Sequence, residues 1–308
     1  RNRWYGLRAS ILFAIFAQET KDQRMRIYFF LLIALLLTAC GGRQQAEQKP
    51  VITVSIEPLR YFAEAIAGDR YQVVSMVPEG SSPETYDPTP QQMVGLSQSR
   101  AFLRVGYLGY EQVWTDRLQQ NAKGVPFFDL SEGIDLIREE GHAHAGGVEP
   151  HIWTSITNAE IIADNIFRAI CRLDPEHAEQ YKANAAGLKA KIANLDKEIQ
   201  AYLPGAGKAF LIYHPALSYF ARDYGLTQIS IEEGGKEPSP AQLKALIARC
   251  KEMGVEVVFV QKEFDTRNAE VIANELHIPI VAINPLSYQW EREMRTIARM
   301  LSNPNEKP

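Results

Sequence analysis

Cysteine is scarce in this chain, with three among 308 residues, so no disulfide framework can staple it. Cys171 and Cys250 each fall inside a helical pattern among apolar neighbours and read as core thiols, not as ligands. Basic side chains are outnumbered, 33 Lys and Arg against 37 Asp and Glu, for a formal charge of −4. That balance gives no electrostatic case for nucleic acid and is compatible with capturing cations. Internal repeats and long low-complexity tracts are missing too. A 46% apolar composition then describes a globular chain long enough for two ordinary domains.

Long hydrophobic runs are missing except at the start. Met25-Arg26 precedes an apolar run from Ile27 to Leu37, followed by Thr38-Ala39-Cys40-Gly41-Gly42. The run is shorter than the ~20 residues a bilayer needs. A basic residue, a short apolar core and small residues before a cut predict a secretory signal peptide over residues 25–39. Leu37 to Cys40 resembles the bacterial lipobox, which makes Cys40 a lipid anchor and the location extracytoplasmic, at the membrane. Residues 1–24 read as an extension upstream of the start, and residues 40–50 as a polar tether. Removing residues 1–39, with six basic and two acidic side chains, moves the formal charge from −4 to −8.

Three of the six histidines fall within Gly141 to Trp153, GHAHAGGVEPHIW. His142 and His144 lie in a Gly/Ala-rich run, whereas His151 is stiffened by Pro150 and flanked by bulky apolar residues. A fixed imidazole suits a preorganised ligand, and mobile ones can capture or pass on an ion. A solvated loop ending in a structural histidine would give the same tract, so the tract alone does not decide.

From Val51 onward, short β-branched runs alternate with helical patterns, which predicts βα units and mostly parallel sheets. Residues 51–173 make one lobe and residues 205–308 another. Between them, residues 174–204 carry Ala178, Tyr181, Ala185, Leu188, Ile192, Leu195, Ile199 and Tyr202 at alternating spacings of three and four, one stripe of a long helix. Asp174 is placed as its N-cap and Pro175 at its first turn. The fold class expected is α/β, two βα lobes joined by one long rigid helix.

In open parallel sheets, ligands bind beyond the carboxyl ends of the strands. Glu84, His151, His214, Gln261, Glu263 and Asn284 occupy such positions, and imidazole with carboxylate suits zinc, manganese or iron. His177 and His277 lie in helical patterns without partners and read as surface or capping residues.

The lipoprotein start, PEGSSPETYDPTP, EPHIW, the long helix, YHPALSYFARDYGL and INPLS together resemble the zinc/manganese solute-binding lipoproteins of bacterial ABC importers, over residues 50–303. The resemblance implies one ion held between two lobes and delivered to a membrane permease. It implies Glu84, His151, His214 and Asn284 as the metal set, with His142 and His144 as an accessory loop. Glu84 stands where the family usually has histidine, and Asn284 where it usually has Asp or Glu. The expected cargo is Zn²⁺, with Mn²⁺ the alternative, and the chain is read as a monomer and not an enzyme. Two histidines and a glutamate with an open position also describe a catalytic zinc site, so a metallohydrolase is one alternative, although the chain has no HExxH. A surface adhesin is the other.

Overall fold

The computed structural model describes residues 49–306, apart from residues 139–146, 233, 263 and 265. Cys40, His142, His144 and Glu263 therefore lie outside the described residues. The first lobe is built from β1 (Val51–Val54), α1 (Glu57–Ala67), β2 (Gln72–Ser75), α2 (Pro90–Ser97), β3 (Ala101–Arg104), α3 (Gly109–Asn121), β4 (Phe127–Asp129) and α4 (Ile156–Leu173). Its four strands are parallel in the order β2-β1-β3-β4. After the connecting helix α5 (Ala178–Tyr202), the second lobe repeats the plan. Its elements are β5 (Ala209–Ile212), α6 (Ser218–Tyr224), β6 (Thr227–Ser230), α7 (Pro240–Glu252), β7 (Val258–Gln261), α8 (Arg267–Leu276), β8 (Ile280–Ile283) and α9 (Trp290–Ser302). The parallel order is β6-β5-β7-β8. In each sheet the strand order reverses beside its first strand, between β1 and β3 and between β5 and β7, and there the carboxyl ends open a crevice.

Local chemistry sets the helix ends. Thr89 and Ser239 each accept the backbone N–H three residues on and precede a proline, so α2 and α7 begin with capping boxes. Asp174 behaves otherwise than expected. Its carboxylate accepts from the Tyr181 hydroxyl at 2.6 Å and pairs with His177 Nδ1 at 2.8 Å, and it makes no cap bond. Pro175–His177 is therefore a 3-10 turn, and the α-helix begins at Ala178. His277 ends α8 with a left-handed backbone, φ 58°, which makes it a capping residue.

The predicted stripe on α5 is buried at Tyr181, Ala185, Leu188, Ile192, Leu195 and Ile199. These residues share one core cluster with strands and helices of both lobes, from Ile52 and Phe102 to Phe210, Phe259 and Met294. A second, smaller cluster fills the other face of the second sheet. From α9, Trp290 stacks on Tyr61 and packs at a tilt against Phe62, both on α1 in the first lobe. Tyr288 donates to Glu64 at 2.6 Å and lies under the Arg60 guanidinium. Burial pushes the Cys250 thiol up to about 11 and that of Cys171 upward; both cysteines are unbridged.

Candidate metal centre

Each of the three candidate ligands is delivered by a loop beyond a strand's carboxyl end. Glu84 follows β2, His151 follows β4 and His214 lies two residues beyond β5. One ligand atom from each falls within 4.8 Å of the other two. They line a cavity of about 30 Å³ with Trp153, Gln261 and Leu286, room for a single ion or water. The walls are aromatic: Phe264 stacks on the His214 ring with centroids 5.1 Å apart, and Trp153 lies 5.2 Å from the His151 ring.

The histidines are held by carboxylates. Glu149, fully buried, accepts the His151 backbone N–H at 2.9 Å and pairs with its Nδ1. The same carboxylate accepts from Ser218 at 3.1 Å, and the Glu149 carbonyl accepts from the Tyr219 hydroxyl at 2.8 Å, both on α6 of the other lobe. His214 Nδ1 lies 3.3 Å from Glu232. Gln261, at the end of β7, donates to the His214 carbonyl at 2.8 Å and accepts its N–H at 3.3 Å, which extends the β5–β7 pairing past the strand. A carboxylate on Nδ1 sets the tautomer and presents Nε2, the arrangement that raises the basicity of a ligating imidazole.

Glu84 is placed differently. Its loop lies against the start of α3, where Tyr110 donates to the Pro83 carbonyl at 3.0 Å. A Cβ at Gly109 would come 2.9 Å from Glu84 Cα and Oε2, and closer still to its carbonyl oxygen. Only glycine permits that approach. Glu84 Oε1 is buried and has no hydrogen-bond partner among the described residues. An orphaned buried carboxylate oxygen is costly; a cation beside two imidazoles would satisfy it.

Asn284 does not join this cluster. Its Oδ1 accepts from the Leu286 backbone N–H at 3.1 Å, its own N–H donates to Glu293 at 2.5 Å, and it is absent from the cavity lining, which Pro285 and Leu286 reach instead. A short asparagine closes the turn on itself. Gly109 and Glu232 carry no motif that would single them out, and Glu149, the first residue of EPHIW, shows its role as the partner of His151 only in the structure.

A cation-sized cavity walled by imidazole and carboxylate, between two parallel-sheet lobes, is the arrangement of a protein that binds a metal ion. A model of the family described as zinc-uptake complex component A, periplasmic, matches residues 52–304, and the chain belongs to that family. It is 29% identical over 272 residues to the metal ABC transporter substrate-binding lipoprotein FimA of Streptococcus parasanguinis, covering 84% of this chain and 87% of the relative. It is 31% identical over 265 residues to the iron ABC transporter substrate-binding lipoprotein MtsA of Streptococcus pyogenes serotype M1, covering 82% and 84%. A crystal structure of ZnuA superposes with a TM-score of 0.78 at 36% identity, over 83% of this chain and 98% of that one. The protein is the substrate-binding component of a metal ABC transporter, working with a membrane permease. Among the described residues, no helix is long and apolar enough to cross a membrane.

Proposed function

We propose that the cargo is Zn²⁺, held by Glu84, His151 and His214 and passed to the permease from outside the cytoplasm, with Cys40 as the lipid anchor. The observation that carries this reading is the convergence of the three ligand atoms within 4.8 Å on an otherwise orphaned Glu84 oxygen. Two imidazoles, one carboxylate and an open fourth position fit a tetrahedral zinc site, completed by water or, after a turn rearrangement, by Asn284. At a mixed nitrogen and oxygen site zinc outcompetes manganese and iron(II). Relatives named for manganese and for iron keep those ions as the second reading, and the buried carboxylates Glu149 and Glu232 add negative charge that suits harder cations. The proposal of an anchor draws support from relatives named as lipoproteins. The test is elemental analysis of protein purified without added metal, with competitive titration of Zn²⁺ against Mn²⁺ and Fe²⁺. Tighter binding of Mn²⁺ or Fe²⁺ would overturn the zinc assignment. Turnover of ester, peptide or phosphate substrates by zinc-loaded protein would replace the carrier with a hydrolase.

A further inference from the structure

The crevice of the first sheet, where β1 and β3 diverge, is filled from within. Glu111, on the first turn of α3, is fully buried there. One carboxylate oxygen accepts the Val105 N–H at 3.0 Å and pairs with the Ser55 hydroxyl; the other accepts the N–H of Gly106 at 2.6 Å and of Leu108 at 3.3 Å. Ser55 directly follows β1 and Val105 directly follows β3. A single side chain thus collects the donors at the tips of both strands and in the turn between β3 and α3. Gln112 tightens the same turn by donating to the Gly106 carbonyl at 2.7 Å.

That turn ends at Gly109, whose backbone presses on Glu84, and the next residue, Tyr110, holds the Pro83 carbonyl. We propose that Glu111 is a positioning residue for the metal ligand Glu84, fixing the turn 105–108 and the start of α3 against which Glu84 is set. The inference rests on the reading of Glu84 as a ligand. Among the described residues, Glu84 has no carboxylate or amide brace of the kind that Glu149 gives His151 and Gln261 gives His214. Its carboxylate oxygen is placed by the packing of its own main chain on Gly109, so an error of a few tenths of an ångström in the turn passes directly to the ligand atom.

Above about pH 7, where the Glu111 carboxyl is ionised, Glu111→Gln is the sharp test because it keeps the shape and removes acceptors. Each carboxylate oxygen faces at least one backbone N–H, so whichever way the amide is turned, its NH₂ meets a donor and the turn must shift. The expected result is Zn²⁺ binding about tenfold weaker, as for other outer partners of a metal site, read by competition with a chelating dye. In a Glu84→Ala background the same change should alter binding less than about twofold, because a residue that acts through Glu84 has nothing left to position. Gly109→Ala, which acts on the same contact from the other side, should show the same dependence and carries the test should Glu111→Gln not fold. An equal loss with and without Glu84, or no loss in the wild-type background, would overturn the proposal. If Glu84→Ala alone binds Zn²⁺ as tightly as wild type, the ligand reading fails first, and the positioning role falls with it.

Discussion

At the scale of single residues, the site is organised by how each ligand is held. His151 depends on Glu149, a buried carboxylate that bonds both its ring and its backbone. Glu149→Gln should therefore weaken zinc binding by about 10–100-fold while leaving one site per chain, as measured by calorimetry. Glu84→Ala should cost at least that range for both zinc and manganese, because it removes the one charged side chain of the proposed ligand set. Glu84→His should retain zinc and weaken manganese further, since it exchanges a hard oxygen for a nitrogen. Competitive titration of the three proteins checks both outcomes. Glu111 makes a prediction of a different kind. Burial raises its carboxyl from an ordinary 4.5 to about 7, against the opposing pull of the Ser55 hydroxyl and the backbone N–H groups of Gly106 and Leu108, which favour the charged form. A carboxyl whose folded value is raised favours folding when protonated, so its contribution is full below about 4.5 and is lost as pH rises through about 7. A shift of that size corresponds to about 3 kcal/mol. Denaturant unfolding from about pH 5 to about pH 8 should show wild type losing more stability than Glu111→Gln, whose amide does not titrate. Parallel pH profiles for the two proteins would contradict this.

At the scale of elements, α5 is a spine because its apolar stripe is packed along its length. Ile192 is fully buried in the shared core, and Ile192→Ala should cost about 2–5 kcal/mol in urea unfolding. Its metal affinity should be unchanged, since no ligand is carried on α5. The histidine-bearing stretch 142–147 reads in the sequence as an accessory loop. All three proposed ligands lie outside it, so its deletion should leave one zinc bound per chain in calorimetry. Loss of that stoichiometry would make His142 or His144 a ligand.

At the scale of the molecule, the two sheets share one core cluster, and polar bonds cross between the lobes beside the site. The Trp153 indole donates to the Pro285 carbonyl at 2.8 Å, and the Trp290 indole donates to the Trp153 carbonyl at 2.7 Å. Tyr219 and Ser218 reach across to Glu149. A hinge that opened the lobes would have to strip these bonds and expose fully buried Trp153 and Trp290. Metal uptake should therefore involve loop shifts and small tilts, and X-ray scattering profiles of metal-free and zinc-loaded protein should nearly superpose. Marked compaction on loading would show that the core does not hold the lobes together.

Periodicity was enough to read the alternation of strands and helices and the stripe on α5, because those signals are local and repeat every two or 3.6 residues. The strand-end rule also named Glu84, His151 and His214, three side chains that the structure brings within 4.8 Å of one another, since a parallel sheet sends its loops to one edge. What periodicity could not reach was pairing across distance. Asp174 looked like a cap, and the packed structure gives its carboxylate to Tyr181 and His177. Asn284 looked like a ligand, and its amide oxygen closes its own turn. Glu111, Gly109 and Glu232 bear no motif, because their roles exist only once β1, β3 and α3, or β5 and β6, have been brought side by side. The residue types and their order determined a two-lobed α/β chain able to ligate a transition metal. Tertiary packing decided which side chains meet in the cavity, because coordination depends on ångström-scale approach between loops that sequence spacing does not encode.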